Sequence, residues 1–230
     1  MNVTELRPFG ARIEEAEIDH LPPPDLTRLV MAATHQGVVV IPGQERLSDE
    51  TFAAFLARIG SPMTTVGEPV LDDHPTLNRV SNVGRAKPPR SVFHSDTSYV
   101  ATPPAFTALR AVEVPSSGGE TVFASGYDAF ARLTDDQRAL LAGATVLHRA
   151  TGVEDATETW HPLIRRHPVT ERPALFMSTP ERCVDLRLAD GTPRPDLVET
   201  VFAHYTAEDH LLRHRWRPGD VVMWDNRCTL

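Results

Sequence analysis

The 230-residue sequence has few cysteines, no long apolar run and no block of basic residues. Two cysteines, Cys183 and Cys228, are too few for a disulfide framework, so we expect free thiols in a cytosolic protein. Even the longest apolar runs are short, such as VVVI at 38–41, so no segment is long enough to span a bilayer. The net charge of −8 argues against nucleic acid or an anionic membrane as a partner.

Nucleotide-binding motifs are also missing, because the sequence contains neither a G-x-G-x-x-G fingerprint nor a P-loop. It does contain many short segments that are rich in Val, Leu and Phe and bounded by Pro, Gly and Asp, as β-strands are. We predict strands over residues 11–18, 37–41, 76–81, 105–113, 120–124, 144–149, 161–167, 173–178 and 219–224. Helical periodicity predicts helices within 22–37, 48–60 and 195–209, and more weakly within 126–141. The pattern indicates a mostly β fold with flanking helices, either a sandwich or a barrel.

The final stretch, WRPGDVVMWDNRCTL, predicts a core strand followed by a polar corner. Residues 221–223 form an apolar run behind a Pro-Gly-Asp turn. Buried Trp, Asp and Arg side chains need partners, so we expect residues 224–227 to hydrogen-bond with one another. Cys228 is not favoured as a nucleophile, because no histidine is next to it and nothing indicates a lowered pKa.

The segment FHSDTSY contains the first candidate for chemistry. His94 and Asp96 are two residues apart, so on an extended segment their side chains point to the same side. With a second histidine from a distant strand they would form a 2-His-1-carboxylate site for a divalent transition metal. A tripeptide of this kind is expected about once by chance in such a composition. On its own, a surface histidine with a hydrogen-bonding aspartate is therefore the simpler interpretation.

Two further segments carry candidate side chains. In PSSGGETVFAS, Gly118 and Gly119 predict a tight turn and Thr121 opens a strand, where its hydroxyl could bind a ligand carboxylate or simply follow a hairpin. In HPLIRRHPVTERP, His161 and His167 each precede a proline, so we favour structural roles for both.

Together these segments resemble the taurine dioxygenase / phenoxyacetate dioxygenase family of iron(II)- and 2-oxoglutarate-dependent oxygenases. The resemblance runs from LRPFGARIEEAEI and GVVVIPGQ to WDNRC, with HSD, ATPP, PSSGGET, HPLIRRHP and HRWRPGDVVMWDNR in the same order. It implies a double-stranded β-helix, or jelly-roll, core and a single oxygenase-like domain over residues 1–230.

The resemblance also implies the cofactors and several site residues. His94 and Asp96 match the first two Fe(II) ligands, and Thr121 matches the threonine that binds the distal carboxylate of 2-oxoglutarate. The implied reaction uses O2 to hydroxylate a substrate, with release of succinate and CO2.

A second histidine ligand is implied at the position that follows Leu230. An arginine for 2-oxoglutarate and the strands that close the jelly roll are implied further on. From the sequence alone we therefore expect a domain that is incomplete at its C-terminus. We expect its untruncated parent to be active and this chain not to be.

The expected substrate is a small, anionic organic molecule. Arg90 is a candidate for pairing with an acidic group, although a solvated loop charge is an equal alternative, and Asn82 and Tyr99 are candidates for lining the pocket. Taurine is disfavoured, because IGSPMTTVGEP has no histidine before His74, and HRWRPGDVVMWDNRC is closer to the phenoxyacetate branch.

Two other interpretations remain open at this point. The chain could be a non-catalytic jelly-roll remnant or binding module, which the residue after Leu230 would discriminate. A cupin-type isomerase ranks last, since such proteins offer several histidines close together. A small-molecule substrate is the expected partner, and the sequence leaves a homo-oligomer open.

Overall fold

The computed structural model describes residues 1–63, 69–81, 83, 92–151 and 157–230. The helices in these ranges are α1 (Pro23–Gln36), α2 (Asp49–Ile59), α3 (Gly126–Ala131), α4 (Asp135–Leu141) and α5 (Asp196–Tyr205), with 3-10 turns at Ile18–His20 and Glu208–His210. The strands are β1 (Asn2–Glu5), β2 (Ala11–Glu14), β3 (Val38–Ile41), β4 (Val70–Leu71), β5 (His74–Asn78), β6 (Phe106–Arg110), β7 (Thr121–Ala124), β8 (Thr145–Arg149), β9 (Glu158–Pro162), β10 (Ile164–Arg166), β11 (Pro173–Leu175), β12 (Cys183–Arg187), β13 (Leu211–His214) and β14 (Val221–Asp225). No helix in the described ranges is both long and apolar enough to cross a membrane.

The largest sheet has the order β1-β2-β3-β14-β6. β2 and β3 are parallel and the other neighbours are antiparallel. β14 therefore has hydrogen-bonded strands on both sides, which confirms the core strand predicted near the end of the sequence.

Both faces of this sheet are covered, which explains why β3 is an uninterrupted apolar run. Val39 and Met223 point into a core shared with α1 and α2. Val40 and Val222 point into a second core with Phe123, on the β7–β13 strand pair. The sheet is thus the middle layer between helices and a second pair of strands.

The rest of the chain forms another hydrophobic core, which is built around smaller sheets. β12, β8 and β9 form an antiparallel sheet, and β10 and β11 form a hairpin. Their buried side chains pack with Val201 and Tyr205 of α5. This arrangement puts β9 and the segment after β11 beside the loop that precedes β6.

Several predicted boundaries are wrong. The strand expected over 11–18 ends at Glu14, because Glu15 adopts a positive φ of 57° and a 3-10 turn follows. The strand expected over 161–167 is split between β9 and β10, and the helix expected over 126–141 is split where Thr134 forms a capping box. β1 is not predicted because its residues are all exposed, so it lacks the alternation that marks a half-buried strand.

Candidate active site

The side chains of His94 and Asp96 meet on the loop that precedes β6. His94 Nε2 lies 3.2 Å from Asp96 Oδ1. The chain is irregular over 92–95 and turns over 96–99, so a turn rather than a strand brings the two groups together. His94 is exposed and Asp96 is half-buried, which leaves the pair open on one side.

One hydrogen bond orients the His94 ring. Its Nδ1 lies 2.9 Å from the carbonyl oxygen of Val92, which can only accept, so Nδ1 carries a proton. Nε2 is then the nitrogen that faces the carboxylate. The hydrogen bond with Asp96 raises the pKa of His94 above its usual value, although burial opposes this.

A chain of hydrogen bonds holds Asp96 from behind. Its Oδ2 accepts from Thr107 Oγ1 at 2.7 Å, and Thr107 Oγ1 accepts from Asn226 Nδ2 at 2.8 Å. Asn226 Oδ1 in turn accepts from Trp224 Nε1 at 3.0 Å. Burial opposes ionisation of Asp96, but the hydrogen bonds with His94 and Thr107 hold its pKa below the usual value. The carboxylate is therefore ionised, with Oδ1 directed at His94.

The donor set fits a divalent metal ion. A proton on Nδ1 leaves Nε2 as the ligating nitrogen, which is the usual arrangement for a metal-bound histidine. Adjacent ligand atoms about 2.1 Å from an octahedral ion are about 3.0 Å apart, close to the spacing of Nε2 and Oδ1 here. Within the described residues, no group of three His, Cys, Asp or Glu side chains with ligand atoms within 4.8 Å of one another includes His94 and Asp96.

Thr121 begins β7, as predicted, and its hydroxyl is engaged by a tryptophan. Trp216 Nε1 donates to Thr121 Oγ1 at 2.9 Å. The indole is a donor only, so the hydroxyl accepts there and keeps its own proton for another acceptor. Among the described residues, no hydrogen bond joins Thr121 to His94 or Asp96.

The three candidate pocket residues have different outcomes. Tyr99 is half-buried on the turn after Asp96, and its carbonyl oxygen accepts from Thr159 Oγ1 at 2.9 Å. Asn82 and Arg90 lie outside the described residues.

The WDNR segment forms the buried polar corner that the sequence predicts. Asp225 is fully buried, with its Oδ2 3.0 Å from His167 Nε2 and its Oδ1 accepting from Arg227 Nε at 2.7 Å. Burial opposes ionisation of Asp225, but Arg227 and His167 together hold its pKa below the usual value. The corner is thus a charged network, closed by partners distant in the sequence.

This corner is not a good metal site, although ligand atoms of His167, Asp225 and Cys228 lie within 4.8 Å of one another. His167 Nδ1 accepts from the backbone N–H groups of Val169 and Thr170, at 3.2 and 3.3 Å, so Nε2 carries the proton and donates to Asp225. Burial raises the pKa of the Cys228 thiol to about 12, so no thiolate is available. The three groups are better explained as structural, as we expected for His167.

Residues 2–230 match the family model described as "Taurine catabolism dioxygenase TauD, TfdA family". The chain belongs to this family. TauD/TfdA enzymes are oxidoreductases that depend on Fe(II), 2-oxoglutarate and O2, which confirms the family and the cofactors inferred from the resemblance.

Several known proteins align with this chain over nearly its whole length. Pentalenolactone F synthase from Streptomyces arenae is 31% identical, in an alignment that covers 100% of this chain and 89% of that protein. An alpha-ketoglutarate-dependent sulfate ester dioxygenase from Pseudomonas putida is 28% identical over 96% of this chain and 79% of its own length. A crystal structure of a taurine dioxygenase from Burkholderia xenovorans superposes with a TM-score of 0.85 at 31% identity, covering 99% of this chain and 82% of that one. The chain therefore has the jelly-roll fold of TauD-like dioxygenases.

The supporting residues of the pair are largely invisible to sequence reasoning. Thr107 and the carbonyl of Val92 orient the two ligand side chains, yet neither belongs to a motif. Asn226 could be found only as a member of the WDNR corner, and its role as a link to Asp96 appears only in the fold.

Proposed function

We propose that this chain is an Fe(II)/2-oxoglutarate-dependent dioxygenase that hydroxylates a small, anionic organic molecule. In that reaction one oxygen atom of O2 enters the substrate as a hydroxyl group and the other enters succinate, while 2-oxoglutarate loses CO2. The observation that carries the proposal is the His94–Asp96 pair, whose other polar atoms are already used by Val92 and Thr107.

His94 and Asp96 are the proposed metal ligands. When bound, Fe(II) supplies the redox chemistry that activates O2. His94 would bind it through Nε2, and Asp96 through Oδ1, because hydrogen bonds occupy Nδ1 and Oδ2. Ligands held in this way keep their orientation before the metal arrives, which favours tight binding.

The third ligand is proposed from the family resemblance, as a histidine directly after Leu230. The backbone at this point is well held, because Leu230 and Ala124 exchange N–H···O bonds of 2.7 and 3.0 Å. A residue added after Leu230 would therefore follow a backbone that is fixed beside the end of β7.

Thr121 is proposed to bind the distal carboxylate of 2-oxoglutarate. Because Trp216 already donates to its oxygen, the hydroxyl proton is free to point at a carboxylate. A hydrogen bond from a neutral hydroxyl to a carboxylate is charge-assisted and stronger than one to a neutral acceptor.

An anionic substrate is supported by a cation beside the metal pair. Arg182 is half-buried, and no hydrogen bond or ion pair with another described residue engages its guanidinium. Its positive charge disfavours protonation of both His94 and Asp96. The hydrogen bond from Ser95 Oγ to the carbonyl of Met177, at 2.9 Å, holds the segment leading to Arg182 against the loop that carries His94 and Asp96. The two similar proteins are named for a sulfate ester and for taurine, and both of these compounds carry a negatively charged sulfur–oxygen group. A sulfonate, sulfate ester or carboxylate group of the substrate would pair with Arg182.

The alternative of a jelly-roll remnant without iron chemistry is not favoured. The match to a dioxygenase family covers residues 2–230, and the tautomer of His94 and its spacing from Asp96 support the proposed metal site. We also propose that residues 1–230 form a single jelly-roll domain.

Succinate formation with Fe(II), 2-oxoglutarate and a panel of sulfonates, sulfate esters and aryloxyacetates tests this function. Two chains are compared, the 230-residue chain and a chain extended past Leu230 by the histidine, the arginine and the closing strands that the family resemblance implies. We expect substrate-dependent succinate together with a hydroxylated product in the extended chain. We expect Asp96→Ala to abolish it and Arg182→Gln to raise KM for the anionic substrate.

His20→Ala is the matched control, because His20 is an exposed histidine 3.0 Å from Asp19 and outside the proposed site. It should leave succinate formation unchanged. Turnover that survives Asp96→Ala would contradict the assignment of the metal ligands, and turnover confined to uncharged substrates would contradict the role of Arg182.

A further inference from the structure

The turn that contains Asp96, residues 95–100, is fixed by neighbouring elements, and we refer to it as the ligand turn. Ser95 Oγ donates to the carbonyl of Met177 at 2.9 Å. Thr159 Oγ1, on β9, donates to the carbonyl of Tyr99 at 2.9 Å. The turn is therefore anchored at both ends to elements far away in the sequence.

A third anchor is His161, also on β9. Its Nε2 lies 2.9 Å from the carbonyl oxygen of Ser98 and 3.1 Å from that of Val100. Both neighbours can only accept, so Nε2 carries a proton and shares it between the two carbonyls. The imidazole is buried and its ring is packed against His148 and Phe176, with centroids 5.2 and 5.3 Å away. The ring can therefore neither turn nor exchange these acceptors for water.

The ligand turn contains a backbone conformation that needs such support. Thr97, directly after Asp96, has a φ of 50°. A β-branched residue rarely adopts this left-handed region, so the surrounding structure must offset the strain. Within the turn itself, a 3.2 Å hydrogen bond from the N–H of Val100 to the carbonyl of Thr97 closes the chain that follows this residue.

We propose that His161 is a positioning residue for the metal site, which holds the strained ligand turn closed and thereby sets Asp96 against His94. It does not touch the metal ligands; it acts through the carbonyls on the far side of Thr97. The inference rests on the proposed function, since the position of Asp96 affects the reaction only if Asp96 binds a metal.

The competing interpretation is that His161 only fills the core between β9 and the ligand turn. A core role predicts that an apolar ring of similar shape keeps the turn in place. A positioning role predicts that the Nε2–H donor is required, and that a side chain which restores a donor at that point restores the turn.

The test compares His161→Phe, which keeps a buried ring but removes the donor, with His161→Gln, whose amide nitrogen can reach the position of Nε2. Thr159→Val removes the neighbouring anchor without disturbing the buried ring, so it replaces His161→Phe if that variant fails to fold. The first measurement is hydrogen–deuterium exchange over residues 93–101 of the metal-free chain, with the Val100 amide as reporter and β8 as internal reference. The second is the affinity for Mn(II), measured alone on the chain with one histidine added after Leu230.

We expect His161→Phe to speed exchange over the ligand turn by about tenfold while β8 is unchanged, and to weaken Mn(II) binding by about 10- to 100-fold, as lost support of a ligand does. We expect His161→Gln to recover most of both effects. Unchanged exchange in His161→Phe overturns the inference. Faster exchange with unchanged Mn(II) affinity, or no recovery in His161→Gln, overturns it equally.

Failure of this inference and failure of the proposed function give different results. If the unsubstituted chain does not bind Mn(II), or His94→Ala binds it as well, the metal assignment is wrong and with it the proposed positioning of Asp96. If Mn(II) binds at His94 and Asp96 and only the His161 variants behave normally, the function stands and the positioning role is wrong.

Discussion

Replacing His148 by leucine is expected to stabilise the protein and to flatten the dependence of its stability on pH. The imidazole of His148 is fully buried, and neither ring nitrogen has a hydrogen-bond partner among the described residues. Phe176 and His161 lie against it, each with a centroid distance of 5.2 Å. Burial lowers the pKa of His148 from 6.5 to about 3, and the nearby positive charge of Arg165 acts in the same direction.

The sign and size of the effect follow from this pKa. Below about pH 6.5 the unfolded chain binds a proton at His148, whereas the folded protein does so only near pH 3. Stability is therefore lost as pH falls below 6.5, by about 1.4 kcal/mol per pH unit, or about 2 kcal/mol down to about pH 5. The unpartnered nitrogens cost about 1–3 kcal/mol more at any pH, and leucine removes both terms.

Urea unfolding of the unsubstituted chain and of His148→Leu at about pH 7 and about pH 5 measures both terms. We expect the stability advantage of His148→Leu to grow by about 2 kcal/mol at the lower pH. His35→Leu, the same change at an exposed histidine of α1, is the matched control. Equal pH slopes for the unsubstituted chain and His148→Leu would refute the reasoning, because His148 would then titrate alike in the folded and unfolded states.

Three further substitutions probe other contacts. Thr121→Val should weaken 2-oxoglutarate binding by about tenfold, through loss of one hydroxyl donor, and leave Mn(II) affinity unchanged in a calorimetric titration. Asp225→Asn should destabilise the fold by about 3–5 kcal/mol in urea unfolding, because the charge of Arg227 loses its buried carboxylate. Gly126→Ala should cost about 1–3 kcal/mol, since an added Cβ would lie 2.5 Å from a backbone carbonyl oxygen.

For each of these three predictions, one result would contradict the reasoning. Equal loss of 2-oxoglutarate and Mn(II) binding in Thr121→Val would indicate general damage rather than a lost contact. An Asp225→Asn protein as stable as the original would mean that the corner is not a charged network. Gly60→Ala is the control for Gly126→Ala and should be nearly neutral, because no described residue other than its chain neighbours lies within 4 Å of an added Cβ.

The two central strands of the large sheet, β3 and β14, are predictable from the sequence because they are buried on both faces. Val38–Ile41 and the apolar run in β14 read as core for that reason. β1 and the true end of β2 are not predictable, since an exposed strand has no apolar pattern and the positive φ of Glu15 has no glycine to signal it.

The candidate site is predictable only in part, for a related reason. His94 and Asp96 stand in a short motif, and the order of the other motifs identifies the family. The groups that hold them cannot be found in this way: Thr107 is 11 residues from Asp96, and His161 is 63 residues from Ser98. Thr107 hydrogen-bonds the carboxylate of Asp96, and His161 hydrogen-bonds a backbone carbonyl of the ligand turn. Contacts of this kind leave no pattern in the sequence.

An anaerobic titration with Fe(II) and 2-oxoglutarate, followed by visible absorption, tests the metal site most directly. It is made on the 230-residue chain and on the chain extended past Leu230 by the implied histidine, arginine and closing strands. We predict a visible charge-transfer band in the extended chain, lost in His94→Ala and in Asp96→Ala and kept in His20→Ala. Absence of the band from both chains, or a band that persists without His94 and Asp96, would contradict the assignment of this pair as the iron ligands.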